Sequence, residues 1–115
     1  RKRLGGGWRQ AGLLAAGCLY ALDHHVERLA LDHEAARAFA EGVRAAGVAV
    51  TEPETNIVVV PTGGRRAGEV VALASERGVQ LSAVGARVVR AVTHLDVTTG
   101  QCADAGAVLG EILAA

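Results

Sequence analysis

From Arg9 to Leu22 the chain reads RQAGLLAAGCLYAL, apolar around the whole circumference of a helix, and no other stretch constrains the fold as much. A helix of that kind must be covered on every side. It is well short of the ~20 residues that cross a bilayer, so its cover has to be protein. From Asp23 to Ala46 the pattern becomes amphipathic. Leu22, Leu29, Ala36 and Val43 recur every seven residues beside Val26 and Ala40, with Glu27, Arg28, Glu34, Arg37, Glu41 and Arg44 elsewhere. The expectation is a long helix, apolar all round at first and on one face afterwards, stopped near Gly47.

Beyond Gly47 four short strands are expected: Val48 to Thr51, Asn56 to Val60, Val79 to Val84 and Val88 to Leu95. A helix from about Ala67 to Arg77 separates the second from the third, opened by Pro61-Thr62-Gly63-Gly64 and closed by Gly78. A last helix is expected from about Thr99 to Leu113. Its apolar set is thin, and Gly100, Gly106 and Gly110 should weaken it by roughly 1 kcal/mol each. The order implies an α+β fold, a long helix followed by a mainly antiparallel sheet with covering helices.

Composition narrows the function classes. The chain has 115 residues, one domain at roughly 100 to 200 residues per domain. Twelve basic and twelve acidic side chains cancel, so no charge excess draws it to nucleic acid or an anionic membrane. Three aromatics are too few for a single-strand stacking platform. Cys18 and Cys102 fit neither a disulfide scaffold nor a zinc module, and a reducing, cytoplasmic compartment is the natural reading. A mean hydropathy of +0.27 is high for so small a domain, so part of the apolar surface expects a partner. The absence of methionine and the opening Arg1-Lys2-Arg3 lead us to expect a piece of a longer protein.

Two arginines stand out as anion sites. Gly5-Gly6-Gly7-Trp8-Arg9-Gln10 puts glycines and a guanidinium at a helix mouth, where unpaired N–H groups and the helix dipole favour a phosphate or carboxylate; the plain alternative is a flexible turn. In Val88-Val89-Arg90-Ala91-Val92-Thr93-His94-Leu95, alternation places Arg90 on one face with Val88, Val92 and His94. A guanidinium among valines either snorkels from an edge strand or is held for an anion. His94 could assist there, although a lone strand histidine is usually structural. His24, His25 and His33 lack the i, i+4 spacing of a zinc helix, so a solvated face is expected and no metal site. Gly63-Gly64-Arg65-Arg66 reads as a solvated loop. Neither cysteine has a cationic neighbour in sequence to activate it.

The segment Arg1-Lys2-Arg3-Leu4-Gly5-Gly6-Gly7-Trp8-Arg9-Gln10-Ala11-Gly12 resembles the RK-x-LGGG-x-RQAG motif of the low-specificity L-threonine aldolases. Three further stretches agree in order: Tyr20 to Ala30, Glu54 to Val58 and Arg90 to Val97. The resemblance covers nearly the whole chain. It implies pyridoxal 5'-phosphate enzymes of the aspartate-aminotransferase-like fold type I, in which residues 1–22 would end the large cofactor domain and residues 23–115 would form the small C-terminal domain. It implies retro-aldol cleavage of threonine or allo-threonine to glycine and an aldehyde. Arg9 would lie near the cofactor phosphate and Arg90 would grip the substrate carboxylate. The implied partners are an amino acid substrate, a preceding large domain and further copies in a dimer or tetramer. The family's Schiff-base lysine motif falls upstream of Arg1, and the one lysine here, Lys2, is outside it. No catalytic residue is therefore assigned within these residues, and the chain alone is expected to be inactive. The alternatives are a non-catalytic α+β domain binding a small anion or a partner chain, and another fold type I lyase.

Overall fold

The computed structural model describes Arg3 and residues 5–115. Four helices and three strands follow one another as α1 (Gly12–His24), α2 (Leu29–Ala45), β1 (Ile57–Pro61), α3 (Ala67–Glu76), β2 (Ser82–Gly85), β3 (Val88–Val92) and α4 (Thr99–Ala114). The strands form one sheet in the order β1-β3-β2, antiparallel throughout. The α+β expectation with a mainly antiparallel sheet holds. No helix among the described residues is long and apolar enough to cross a membrane.

Helices cover one face of the sheet. From α2, Ala35, Ala36, Phe39, Ala40 and Val43 recur at the spacing of a single helical face and are buried. They meet Val58 and Val60 of β1, Val89 and Ala91 of β3, Val70 and Ala74 of α3, and Leu109 and Ile112 of α4. Thr93 continues the inward series one step past the strand. Its hydroxyl donates to the Asp32 carbonyl at 2.6 Å, and its amide donates to the Asn56 carbonyl at 2.9 Å. A buried hydroxyl on the core face is thereby satisfied, as burial requires.

The expected long helix is broken. Residues 25–28 form a turn in which Leu29, Ala30 and Leu31 donate to carbonyls only three residues back. Those tighter bonds turn the chain and start a new helix, pinned by Arg28, whose Nη2 donates to both carboxylate oxygens of Asp32 at 2.8 and 2.9 Å. The seven-residue seam therefore holds only in its second half. Ala36, Ala40 and Val43 are buried, while Leu22, Val26 and Leu29 are exposed. Upstream of the break, α1 buries none of its residues, and Leu13 is 86% exposed. The described residues extend 51 × 28 × 24 Å.

Val48 to Thr51, the expected first strand, forms no strand and joins no ladder. The Val50 carbonyl accepts from Arg44 Nε at 3.0 Å, Arg44 also reaches Glu52 at 2.8 Å, and Pro53 has no N–H for a ladder. Val48 and Val50 still pack against the core. β1 keeps the expected length one residue further on, while the other two strands are shortened to Ser82–Gly85 and Val88–Val92 on either side of the hairpin turn at Ala86-Arg87.

Local signals place the remaining helices. α3 ends in a Schellman arrangement: the Gly78 amide donates to Ser75 and that of Val79 to Ala74, with Gly78 at φ +80°. α4 opens on a capping box, in which the Gln101 amide donates to Thr98 Oγ1 and the Thr98 amide donates to Gln101 Oε1. The weak-helix expectation for α4 is corrected by what its glycines do. A Cβ on Gly106 would stand 2.2 Å from the Phe39 carbonyl oxygen, and one on Gly110 would stand 2.7 Å from the Ala46 methyl group. From the facing helix, a Cβ on Gly42 would stand 2.7 Å from the Ala103 carbonyl oxygen. These glycines are the surface on which α2 and α4 meet.

Candidate functional site

The helices leave the other face of the sheet uncovered. It carries Ile57 and Val59 from β1, Val88, Arg90 and Val92 from β3, and Ser82 and Val84 from β2. Ile57, Val59, Val84 and Val92 are all exposed. A groove of about 850 Å³ runs along the β1 side of this face, walled by Arg44, the segment 49–55, Ile57, Val59, Pro61 and Val88.

Arg90 stands in the middle of that face. β3 is the central strand, so the edge-strand explanation for a guanidinium among valines does not apply. The residues directly opposite it are Val59 on one side and Ser82 on the other. The Nε of Arg90 is buried with no hydrogen-bond partner, and no other side-chain nitrogen or oxygen among the described residues shares that condition. An enclosed cationic donor without an acceptor costs free energy in isolation, and an anion placed on the face would offset part of that cost.

The other candidates fall elsewhere. The ladder ends at Val92, so His94 does not continue the Arg90 row. It lies in the following loop, where its Nδ1 accepts from the Asp96 amide at 3.3 Å and sits 3.5 Å from the Asp96 carboxylate. Arg9 lies in the exposed turn before α1, a helix with no acidic residue in its first turn and no side-chain cap. Arg9 and Arg90 thus belong to separate elements, and α1 is not packed on the sheet. His24 and His25 flank the Tyr20 ring, with centroids 4.4 and 5.6 Å away. No metal-holding group of three or more ligand side chains occurs among the described residues. In the Gly63-Gly64-Arg65-Arg66 loop the Thr62 hydroxyl donates to the Arg65 carbonyl at 2.8 Å, which closes the turn. The first residues of the glycine-rich motif, including Lys2, lie outside the described residues.

Cys18 is exposed on α1, and Cys102 is buried on α4. Burial pushes the Cys102 thiol up from its ordinary value of 9.0, because the thiolate is the form that loses solvation. The native state therefore keeps the proton where the unfolded chain gives it up. That contribution to stability is complete at neutral pH and is lost as pH rises above about 9 through the raised native value. Denaturation midpoints followed from pH 7 to 10.5 should fall more steeply for the wild type than for Cys102→Ala. Parallel profiles would contradict the assignment.

Ser82 is the feature of this face that sequence reading missed. Its place opposite Arg90 depends on the hairpin register and on a bulge between Ala83 and Gly85, neither of which is visible in residue spacing.

The family model for beta-eliminating lyases matches residues 1–63. The chain is 42% identical over 107 residues to the low specificity L-threonine aldolase of Escherichia coli (strain K12), covering 93% of this chain and 32% of that protein. It is 35% identical over 105 residues to low-specificity L-threonine aldolase 1 of Arabidopsis thaliana, covering 86% of this chain and 29% of the relative. Over 63 residues it is 48% identical to the probable low-specificity L-threonine aldolase 2 of the same plant, covering 52% of this chain and 18% of the relative. The chain spans about a third of the length of the bacterial relative.

Proposed function

The chain belongs to the beta-eliminating lyase family, and from that we propose that it is the C-terminal part of a pyridoxal-phosphate-dependent aldolase cleaving L-threonine and L-allo-threonine to glycine and an aldehyde. The observation that carries this reading is the Arg90 guanidinium on the central strand of a mainly apolar, uncovered sheet face. Such a face suits a small substrate with one carboxylate and an aliphatic remainder. Arg90 takes the carboxylate, and its position on a central strand makes the grip rigid. By holding the carboxylate it decides which bond at Cα is aligned for cleavage, and Val59 and Val92 give the grip apolar flanks.

The residues present fit the cofactor in part. Arg9, ahead of a helix with no acid in its first turn, suits the phosphate. When bound, the cofactor supplies an electron sink for the pair released as the Cα–Cβ bond breaks. No lysine occurs among the described residues, and Lys2 is the chain's one lysine. In this reading residues 1–22 complete a large domain, residues 23–115 form the small one, and the exposed apolar side chains of α1 and of the outer sheet face are covered by that domain and by further copies.

Full-length protein supplied with pyridoxal phosphate should release acetaldehyde and glycine from both L-threonine and L-allo-threonine. The 115-residue chain alone should release neither and should develop no borohydride-sensitive absorbance band with the cofactor. A full-length protein inert towards both substrates would overturn the proposal, as would turnover by the chain alone.

A further inference from the structure

The Nε–H of Arg90 is an enclosed donor, and a substrate carboxylate does not satisfy it. Because Nε is shut off from solvent, an anion meets the guanidinium at its outer end, through the two Nη groups. Within this chain, an acceptor for it can stand on the strands that flank β3. Side chains directly opposite one another in an antiparallel pair share a face, with Cβ atoms about 4.5–5.5 Å apart. Arg90 has two such neighbours, Val59 and Ser82. Val59 carries no acceptor. Ser82 carries a hydroxyl on an exposed position of β2, and a hydroxyl both accepts and rotates to suit its donor.

Resting on the reading of Arg90 as the carboxylate grip, we propose that Ser82 is its positioning residue: the Ser82 hydroxyl turns about χ1 to accept the Arg90 Nε–H and so fixes the plane of the guanidinium. The fork then presents both Nη groups outward to the carboxylate. A bidentate pair depends on that plane, since a guanidinium free to rotate loses side-chain entropy on every binding event. The hydroxyl touches neither the substrate nor the reacting atoms. Its effect should therefore fall on substrate binding and leave the chemical step unaltered.

The test uses full-length, cofactor-loaded enzyme. Ser82→Ala should raise KM for L-threonine about tenfold, the scale of one lost hydrogen bond, with kcat little changed. Ser82→Thr, which keeps the hydroxyl, should return KM close to the wild-type value. In protein with ¹⁵N-labelled arginine and bound glycine, the Arg90 Nε–H should exchange with solvent faster in Ser82→Ala than in the wild type or Ser82→Thr. Wild-type KM and unchanged exchange in Ser82→Ala, alongside a large loss in Arg90→Ala, would overturn the positioning role while leaving the carboxylate reading intact. An Arg90→Ala enzyme with unaltered kinetics would instead remove the reading on which the proposal rests.

Discussion

Gly106→Ala should destabilise the protein by about 3 kcal/mol or more, at the upper end of what overpacking costs, although alanine is the better helix former. The added methyl would stand 2.2 Å from the Phe39 carbonyl oxygen and 2.9 Å from its carbon, both backbone atoms of α2. A side chain could swing aside, but a helix backbone cannot do so locally. α2 and α4 would have to separate, loosening Phe39, Val43, Leu109 and Ile112 together. The control is Gly100→Ala in the same helix, where the new methyl meets open space. That change should be neutral to stabilising, by up to about 1 kcal/mol, because it only removes conformational freedom from the unfolded chain. Denaturant midpoints for the two variants should move in opposite directions. Equal shifts would mean that α2 and α4 do not meet at Gly106.

The contrast also shows where sequence reading stops. From propensity alone, Gly100, Gly106 and Gly110 look alike, each a cost to the helix, but what sets two of them apart is the helix they face. That partner is a tertiary fact. The starts of α3 at Ala67 and α4 at Thr99 were legible because capping and turn residues act over a few positions, and the stop at Gly78 was legible for the same reason. The break at residues 25–28 was not legible. The apolar repeat runs straight through it, and only the shift to three-residue hydrogen bonds ends the helix there. Val48 to Thr51 has strand residues, yet its carbonyl bonds a side chain and a proline follows, so composition overstated the sheet.

The candidate site was half legible. A guanidinium in a valine run left two readings open, an edge strand or an anion, and the sheet order removes the first. The partner across the strand was not legible, because register needs the hairpin turn and its bulge. His94 looked like a neighbour of Arg90 by alternation, which ends with the ladder at Val92. Where alternation holds, facing can be counted from the sequence; where the ladder ends, it cannot.

Arg90→Ala in the full-length enzyme should lower kcat/KM for L-threonine about 100-fold, some 2–3 kcal/mol, as expected for a lost charge-assisted pair. Its fold should survive, since the side chain lies on the uncovered face and makes no contribution to the helix-covered core. A loss of activity without a loss of stability separates a binding role from a structural one.

The most direct measurement compares two substrates on two enzymes: L-threonine and its carboxamide, which lacks the negative charge, on the wild type and on Arg90→Ala. If Arg90 holds the carboxylate, the variant should lose about 100-fold in kcat/KM on threonine and almost nothing further on the amide. An equal loss on both substrates, or none on threonine, would contradict the account.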